Sequence, residues 1–328
     1  MLGLAEEQPD LLPLFGGAPH GPASITAEEP VTPASTVPAW LAPKLSHVST
    51  SALLERAPLD LRVNHQRASR DEVLAAFDGA DPTRFAPHGV RLATSMSIQQ
   101  HPLVLDGKVE VQDEGSQLVA LACRAEAGMI VVDLCAGAGG KTLAVAAEMA
   151  GQGRLVACDT DRGRLSRLPQ RAARAGAPGI EARLLNPDRE AEMLSDLADA
   201  ADVVLIDAPC SGTGTWRRNP ESRWRLTPER LQRLTALQTR LIELGAGLVR
   251  PGGHLIYAVC SLLDEEGEEQ IRRFVDGHPD WQGVRPFAAP GTERGGGVLL
   301  SPGVDGTDGF FVARLQRPCY DAAKEDQG

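Results

Sequence analysis

Met129-Ile-Val-Val-Asp133-Leu-Cys-Ala-Gly-Ala-Gly-Gly-Lys-Thr142 joins a short apolar run, a glycine-rich turn and the first residues of a helix. The run predicts a strand over Met129 to Asp133 and a helix over Lys141 to Ala150. This is the opening unit of an open α/β sheet, whose ligands collect at the carboxyl ends of the strands. The segment Cys135, Ala136, Gly137, Ala138, Gly139, Gly140, Lys141 lets backbone amides approach a ligand at a helix N-terminus, which suits a nucleotide or nucleoside-like cofactor. A P-loop is rejected by spacing: Gly-x-x-x-x-Gly-Lys-Thr needs a glycine five positions before Gly140, and that residue is Cys135. The rejection matters because Val203-Val-Leu-Ile-Asp207 would pass for the acidic strand of an ATPase. The next strand, Arg154 to Asp159, ends on a carboxylate able to accept both hydroxyls of a cofactor ribose. Asp159 can equally be the N-cap of the helix from Arg162, and the residues alone leave both readings open.

Working outward, strand and helix patterns keep alternating. A helix is expected through Ser116 to Cys123, then after the opening unit a helix over Arg162 to Ala175, a strand Ile180 to Leu185 and a short helix near Ala191 to Ala198. A strand Val203 to Ile206, a long helix Pro228 to Val249, a strand Leu255 to Val259 and a helix Glu265 to Val275 complete the series. Such alternation specifies an α/β fold with a mostly parallel, doubly wound sheet over residues 112–318. Ahead of it, residues 37–111 read as a small α+β unit, with strands at Leu59 to Val63, Val90 to Leu92 and Val109 to Val111 and a helix from Asp71 capped by Ser69. Residues 1–36, rich in Pro and acid, read as a disordered extension, and 319–328 as a tail.

The chain has 328 residues, 42% hydrophobic and 23% charged, an ordinary composition for a globular protein. No run approaches the ~20 apolar residues that span a bilayer, and Met1-Leu-Gly-Leu-Ala-Glu-Glu lacks the basic start of a signal peptide, so a cytoplasmic protein without membrane contact is expected. Six cysteines without short regular spacing are expected to be free thiols, and the seven scattered histidines suggest no metal site. A net charge of -11 argues against indiscriminate nucleic-acid binding. Two segments are nevertheless basic. The arginines from Arg162 to Arg174 read as a solvated helix face, whereas Trp216-Arg-Arg-Asn-Pro-Glu-Ser-Arg-Trp-Arg225 interleaves tryptophans with arginines and is expected to stack on bases and meet phosphates.

Two cysteines follow apolar runs: Cys210 in Asp207-Ala-Pro-Cys-Ser-Gly-Thr-Gly214 and Cys260 in Tyr257-Ala-Val-Cys-Ser261. With Pro58-Leu-Asp-Leu-Arg-Val-Asn64, Val111-Gln-Asp-Glu-Gly-Ser-Gln117, Asp133 to Thr142 and Asp308-Gly-Phe-Phe-Val-Ala-Arg314, they stand in the order found in the RsmB/Nop family of RNA 5-methylcytosine methyltransferases, which the chain resembles from about Trp40 to Arg317. The resemblance implies S-adenosylmethionine as cofactor, a Rossmann-like class I methyltransferase domain, a small RRM-like RNA-binding domain ahead of it, and RNA as partner, with ribosomal RNA expected and tRNA the alternative. A monomer is expected. After the third strand, where many members carry Asp near the adenine, this chain has Asn186, with Asp188 close by.

The same resemblance implies the roles. Cytosine C5 is a poor nucleophile until a thiolate adds at C6, and the C5 proton must later leave with a second group assisting. Cys260 is thereby the nucleophile and Cys210 the group that assists release. Asp207 is placed to hold the N3 and amine edge of the base and to approach the cofactor, and Lys141 to favour a nearby thiolate. A zinc deaminase is excluded, because its Pro-Cys-x-x-Cys would need a second cysteine where Thr213 stands. DNA enzymes commonly use one cysteine in a Pro-Cys motif, so Cys260 in a Cys-Ser context favours RNA. A noncatalytic RNA-binding or ribosome-assembly protein on the same fold is the competing expectation.

Overall fold

The computed structural model describes residues 37–92 and 98–319. The extension expected over residues 1–36 and the tail beyond Cys319 lie outside the described residues. Strands β1 (Leu59–Val63), β2 (Asp81–Pro82), β3 (Gly89–Leu92) and β4 (Val109–Val111) form an antiparallel sheet ordered β2-β3-β1-β4. Leu61, Val63, Val90 and Val109 are buried with Val73 and Phe77 in one core. Its helix, Arg70–Ala75, starts at the expected Ser69 through a reciprocal cap: the Ser69 hydroxyl accepts from Glu72 N and the Glu72 carboxylate accepts from Ser69 N.

The larger sheet contains β5 (Ile130–Asp133), β6 (Arg154–Asp159), β7 (Glu181–Leu184), β8 (Ala201–Asp207), β9 (Val249–Val259), β10 (Gln282–Val284), β11 (Thr292–Arg294), β12 (Gly297–Leu300) and β13 (Phe310–Gln316). Its order is β11-β12-β13-β9-β8-β5-β6-β7, with β10 against β13. Strands β7, β6, β5, β8 and β9 are parallel, as the alternation requires. Val132, Val204 and Ile206 pack on one face with Leu241 and Ile242 of the helix Pro228–Ala246, and Val131, Val203 and Leu205 pack on the other with Leu118 and Val145. Both faces are covered, which is why β5 and β8 read as continuous apolar runs. Each such side chain contributes about 1.5–3 kcal/mol by leaving water.

Three local expectations differ. The helix expected over Arg162 to Ala175 is two helices, Arg162–Leu165 and Leu168–Ala175, because Pro169 has no N–H to continue the first. Strand β9 begins at Val249, six residues early, and its pairing with β8 shifts register between Ala201 and Val203. The strands from β10 onward add an antiparallel edge, with β13 running against β9. Among the described residues, no helix is long and apolar enough to cross a membrane.

The chain lays down β5, β6 and β7 toward one edge, then returns to place β8 and β9 on the other side of β5. That reversal opens a crevice at the carboxyl ends of β5 and β8, where Asp133 and Asp207 stand.

Candidate active site

The loop leaving β5 is shaped by two strong constraints. Gly139 has φ +87°, a left-handed conformation that glycine takes freely, and a Cβ there would lie 2.2 Å from Leu168 Cδ1. Asp159, at the end of β6, accepts from Gly137 N through Oδ2 at 2.7 Å and from Asp161 N through Oδ1 at 2.7 Å. The helix N-cap is Asp161, whose side chain accepts from Arg164 N at 3.0 Å, so the capping alternative for Asp159 is overturned. Asp159 instead fastens the loop to the neighbouring strand. Arg171 donates to the Ala138 carbonyl at 2.6 Å while pairing with Glu110 of β4 at 2.7 Å, which ties the loop to the smaller sheet.

Asp133 is buried at the end of β5. Its Oδ2 accepts from the Thr142 hydroxyl at 2.7 Å, whereas Oδ1 has no partner. Burial pushes its carboxyl up to about 7, against the hydrogen bond from Thr142.

The register of β8 on β9 sets Asp207 opposite Ala258, so Cys210 and Cys260 leave adjacent strands side by side. Their Sγ atoms are 3.3 Å apart. The two motif loops interlock: Gly214 N donates to Cys260 O at 3.1 Å, and a Cβ at Gly214 would lie 2.1 Å from Gly309 O. The hydrogen bond with Cys260, burial and the Cys260 and Glu266 charges all hold the Cys210 thiol well above its usual range. Lys141 Nζ donates to Asp207 Oδ2 at 2.7 Å and lies 5.3 Å from the centre of the Phe310 ring. Burial works against its ammonium, but Asp207 and Cys260 outweigh it and the pKa is raised, so Lys141 stays charged.

These groups converge on a cleft of about 440 Å³ whose wall includes Asp133, Cys135, Ala136, Ala138, Gly140, Lys141, Asp207, Cys260, Asp308 and Phe310. The structure thus brings together Lys141, Asp207, Cys260 and most of the glycine loop. Gly137, Gly139, Asp159 and Cys210 do not line it but bond to one another or to residues that do: Asp159 to Gly137 N, Gly139 N to Ala136 O at 2.8 Å, and Cys210 to Cys260. Asn186 and Asp188 are exposed and outside the wall, with Asp188 paired to Arg240 at 3.4 Å. Cys123 and Cys158 are buried, and burial pushes each thiol up to about 12, in keeping with inert core residues.

The basic segments differ most from expectation. Trp216 is fully buried and Arg217 is 5% exposed, with Nε donating to Asp308 Oδ1 at 2.7 Å. Arg218 bridges Asp308 at 2.5 Å and Asp113 at 3.1 Å, and buried Arg223 lies over the Trp216 ring. Of the expected RNA-facing residues, Arg218, Trp224 and Arg225 remain on the surface, Arg218 with its guanidinium engaged by the two carboxylates. In the earlier segment, Arg171 and Arg174 are paired with Glu110 rather than solvated.

Sequence reasoning missed Asp113 and Asp308 as partners of those arginines; their places inside two of the six motifs were the available signal. It also missed that His65 and His88 stack at 4.2 Å beside Glu148, away from the cleft.

Comparison with known proteins now adds to this geometry. The family model for 16S rRNA methyltransferase RsmB/F matches residues 119–316. The ribosomal RNA small subunit methyltransferase B of Klebsiella pneumoniae is 37% identical over 80% of this chain and 60% of its own. The chain therefore spans less than two thirds of the length of such relatives. The crystal structure of PH0851 superposes with a TM-score of 0.81 at 28% identity, covering 89% of this chain and 70% of that one. A methyltransferase homolog from Pyrococcus horikoshii gives 0.71 at 26% identity, over 86% and 92%.

Proposed function

Because the chain belongs to the RsmB/F family of 16S rRNA methyltransferases, we propose that it transfers a methyl group from S-adenosylmethionine to C5 of a cytosine in RNA, by way of a transient bond between Cys260 and C6. The observation that carries this reading is the Cys210–Cys260 contact of 3.3 Å beside the Lys141–Asp207 pair, at one end of the cleft. S-adenosylmethionine supplies an electrophilic methyl group and, on its methionine portion, an ammonium. The residues fit it: the orphaned Asp133 Oδ1 is a buried acceptor suited to an ammonium, and the Cys135–Lys141 loop offers backbone at a helix start. Asp159 keeps free lone pairs on both oxygens for ribose hydroxyls while it holds the loop.

The chain's own groups account for the rest of the reaction. Lys141, fixed by Asp207, sets an ammonium in the cleft wall that it shares with Cys260, the kind of neighbour that favours a thiolate nucleophile. Addition of Cys260 to C6 makes C5 an enamine carbon able to take the methyl. A base must then remove the C5 proton as the carbon–sulfur bond breaks, and Cys210, adjacent to the leaving sulfur, is the group in reach: after methyl transfer it gives up its own proton to solvent, and its thiolate takes the one from C5. Asp207 accepts the exocyclic amine of the base. Residues 37–111 are a second RNA-contacting unit ahead of the methyltransferase domain at 112–318, with ribosomal RNA the substrate and exposed Arg218, Trp224 and Arg225 the surface remnant of the basic segment.

The test is transfer of tritiated methyl groups from S-adenosylmethionine to small-subunit rRNA and tRNA transcripts, followed by bisulfite sequencing. A single protected cytosine in rRNA is expected. Label in tRNA alone would replace the substrate, and tight RNA binding with no label in either would favour the noncatalytic alternative.

A further inference from the structure

Glu266 is fully buried beneath the two cysteine loops and has no ion pair among the described residues. Its carboxylate is instead saturated by neutral donors from both loops. Oε1 accepts from Ser211 N at 2.8 Å and Gln238 Nε2 at 3.0 Å; Oε2 accepts from Ser261 Oγ at 2.5 Å and from Ser211 Oγ. Ser211 follows Cys210 and Ser261 follows Cys260, so one carboxylate grips the residue next to each thiol. Thr213 extends the clasp, donating or accepting with Ser261 Oγ at 3.1 Å and accepting from Leu262 N at 2.8 Å. The Glu266 backbone is held in turn, since its carbonyl accepts from the Tyr257 hydroxyl at 2.6 Å.

A buried charge costs several hydrogen bonds to keep, and hydrophobic packing would join two loops as well. The charge has a further consequence at this spot. Sulfurs 3.3 Å apart share one proton once the pair carries a single negative charge, and the surrounding charges decide which sulfur keeps it. Around the pair, the ammonium of Lys141 lines the cleft with Cys260 and has Asp207 as its partner, whereas the carboxylate of Glu266 takes two hydrogen bonds from Ser211, next to Cys210, and one from Ser261, next to Cys260.

We propose that Glu266 is a positioning residue that clasps the two cysteine loops and directs the shared proton onto Cys210, leaving Cys260 as the thiolate. The elevated Cys210 thiol, to which Glu266 contributes, agrees with this direction. The inference rests on the assignment of Cys260 as nucleophile. It gives a reason why two neighbouring cysteines of the same chemistry take different parts.

The experiment is competitive alkylation of the full chain by iodoacetamide at fixed pH, with Cys210 and Cys260 quantified separately by peptide mass spectrometry. In the unaltered protein Cys260 should react faster. In Glu266→Gln, which keeps the shape and loses the charge, the Cys260 to Cys210 ratio should fall roughly tenfold, the change in thiolate fraction for about one pKa unit. Glu266→Asp should restore part of the ratio. An unchanged ratio in a Glu266→Gln protein with an unaltered melting profile would reduce Glu266 to a structural brace and overturn the proposal. If Glu266→Gln does not fold, Ser261→Ala, which deletes one clasp donor and leaves the carboxylate, carries the test: a lowered ratio supports the clasp and an unmoved one overturns it. A faster Cys210 in the unaltered protein would instead refute the nucleophile assignment, independently of how the ratio responds to Glu266.

Discussion

Replacing Arg217 by alanine separates a structural arginine from an RNA-binding one. Arg217, Asp308 and Asp113 have side chains 5%, 4% and 7% exposed, and Arg218 completes a group of two guanidiniums facing two carboxylates. Arg217→Ala leaves two buried carboxylates against one guanidinium, and removing one partner of a buried pair costs about 3–5 kcal/mol. The penalty has a proton escape route, because burial and Asp308 already push the Asp113 carboxyl up to about 6. The variant's native state should bind one proton more than the unaltered protein, so its destabilisation should grow by up to ~1.4 kcal/mol per pH unit above that value and shrink below it. Urea unfolding followed by tryptophan fluorescence at pH 6 and pH 8 measures both quantities. Arg225→Ala, on the surface, should cost under about 0.5 kcal/mol. In RNA titrations it should instead lower the slope of log affinity against log salt by roughly 0.7–0.9, as the loss of one phosphate contact does. The reasoning is refuted if Arg217→Ala costs under about 1 kcal/mol and flattens the salt slope as Arg225→Ala does.

Cys210→Ala should accumulate a denaturant-resistant protein–RNA band on a gel, because addition and methyl transfer remain possible while release slows; Cys260→Ala and the double variant should show none. The reverse pattern would exchange the two roles. Asp159→Ala should weaken S-adenosylmethionine binding by roughly 1.5–3 kcal/mol for each charged hydrogen bond lost, and unchanged affinity by calorimetry would remove Asp159 from the site. Asp133, with its carboxyl up at about 7, carries a proton in the free protein at pH 6; binding a cofactor ammonium there should release it. Calorimetry in buffers of different ionisation enthalpy should detect that release at pH 6 and not at pH 8.5, and equal proton release by Asp133→Asn would place its source elsewhere.

The alternation of apolar runs with helical periodicity determined the parallel sheet, and glycines at 137, 139 and 140 determined where its first turn would bind. These signals are local: strand period, caps and turn residues act within a few positions, so Ser69 and Pro169 set helix boundaries without help from distant chain. The ordered motifs likewise marked Cys210, Cys260, Lys141 and Asp207. What they do to one another was not legible. Only the register of β8 on β9 brings two thiols fifty residues apart into contact. The same Trp-Arg stretch that looks like an RNA platform in one dimension turns inward because Asp113 and Asp308, about a hundred residues to either side, meet behind it. Asp159 yields capping to Asp161 for a comparable reason: the loop amide of Gly137, supplied by another strand, satisfies its carboxylate. A residue's type is fixed by the sequence, but the partner that satisfies its charge or hydrogen bond comes from wherever the folded chain returns, and that choice is made by long-range packing.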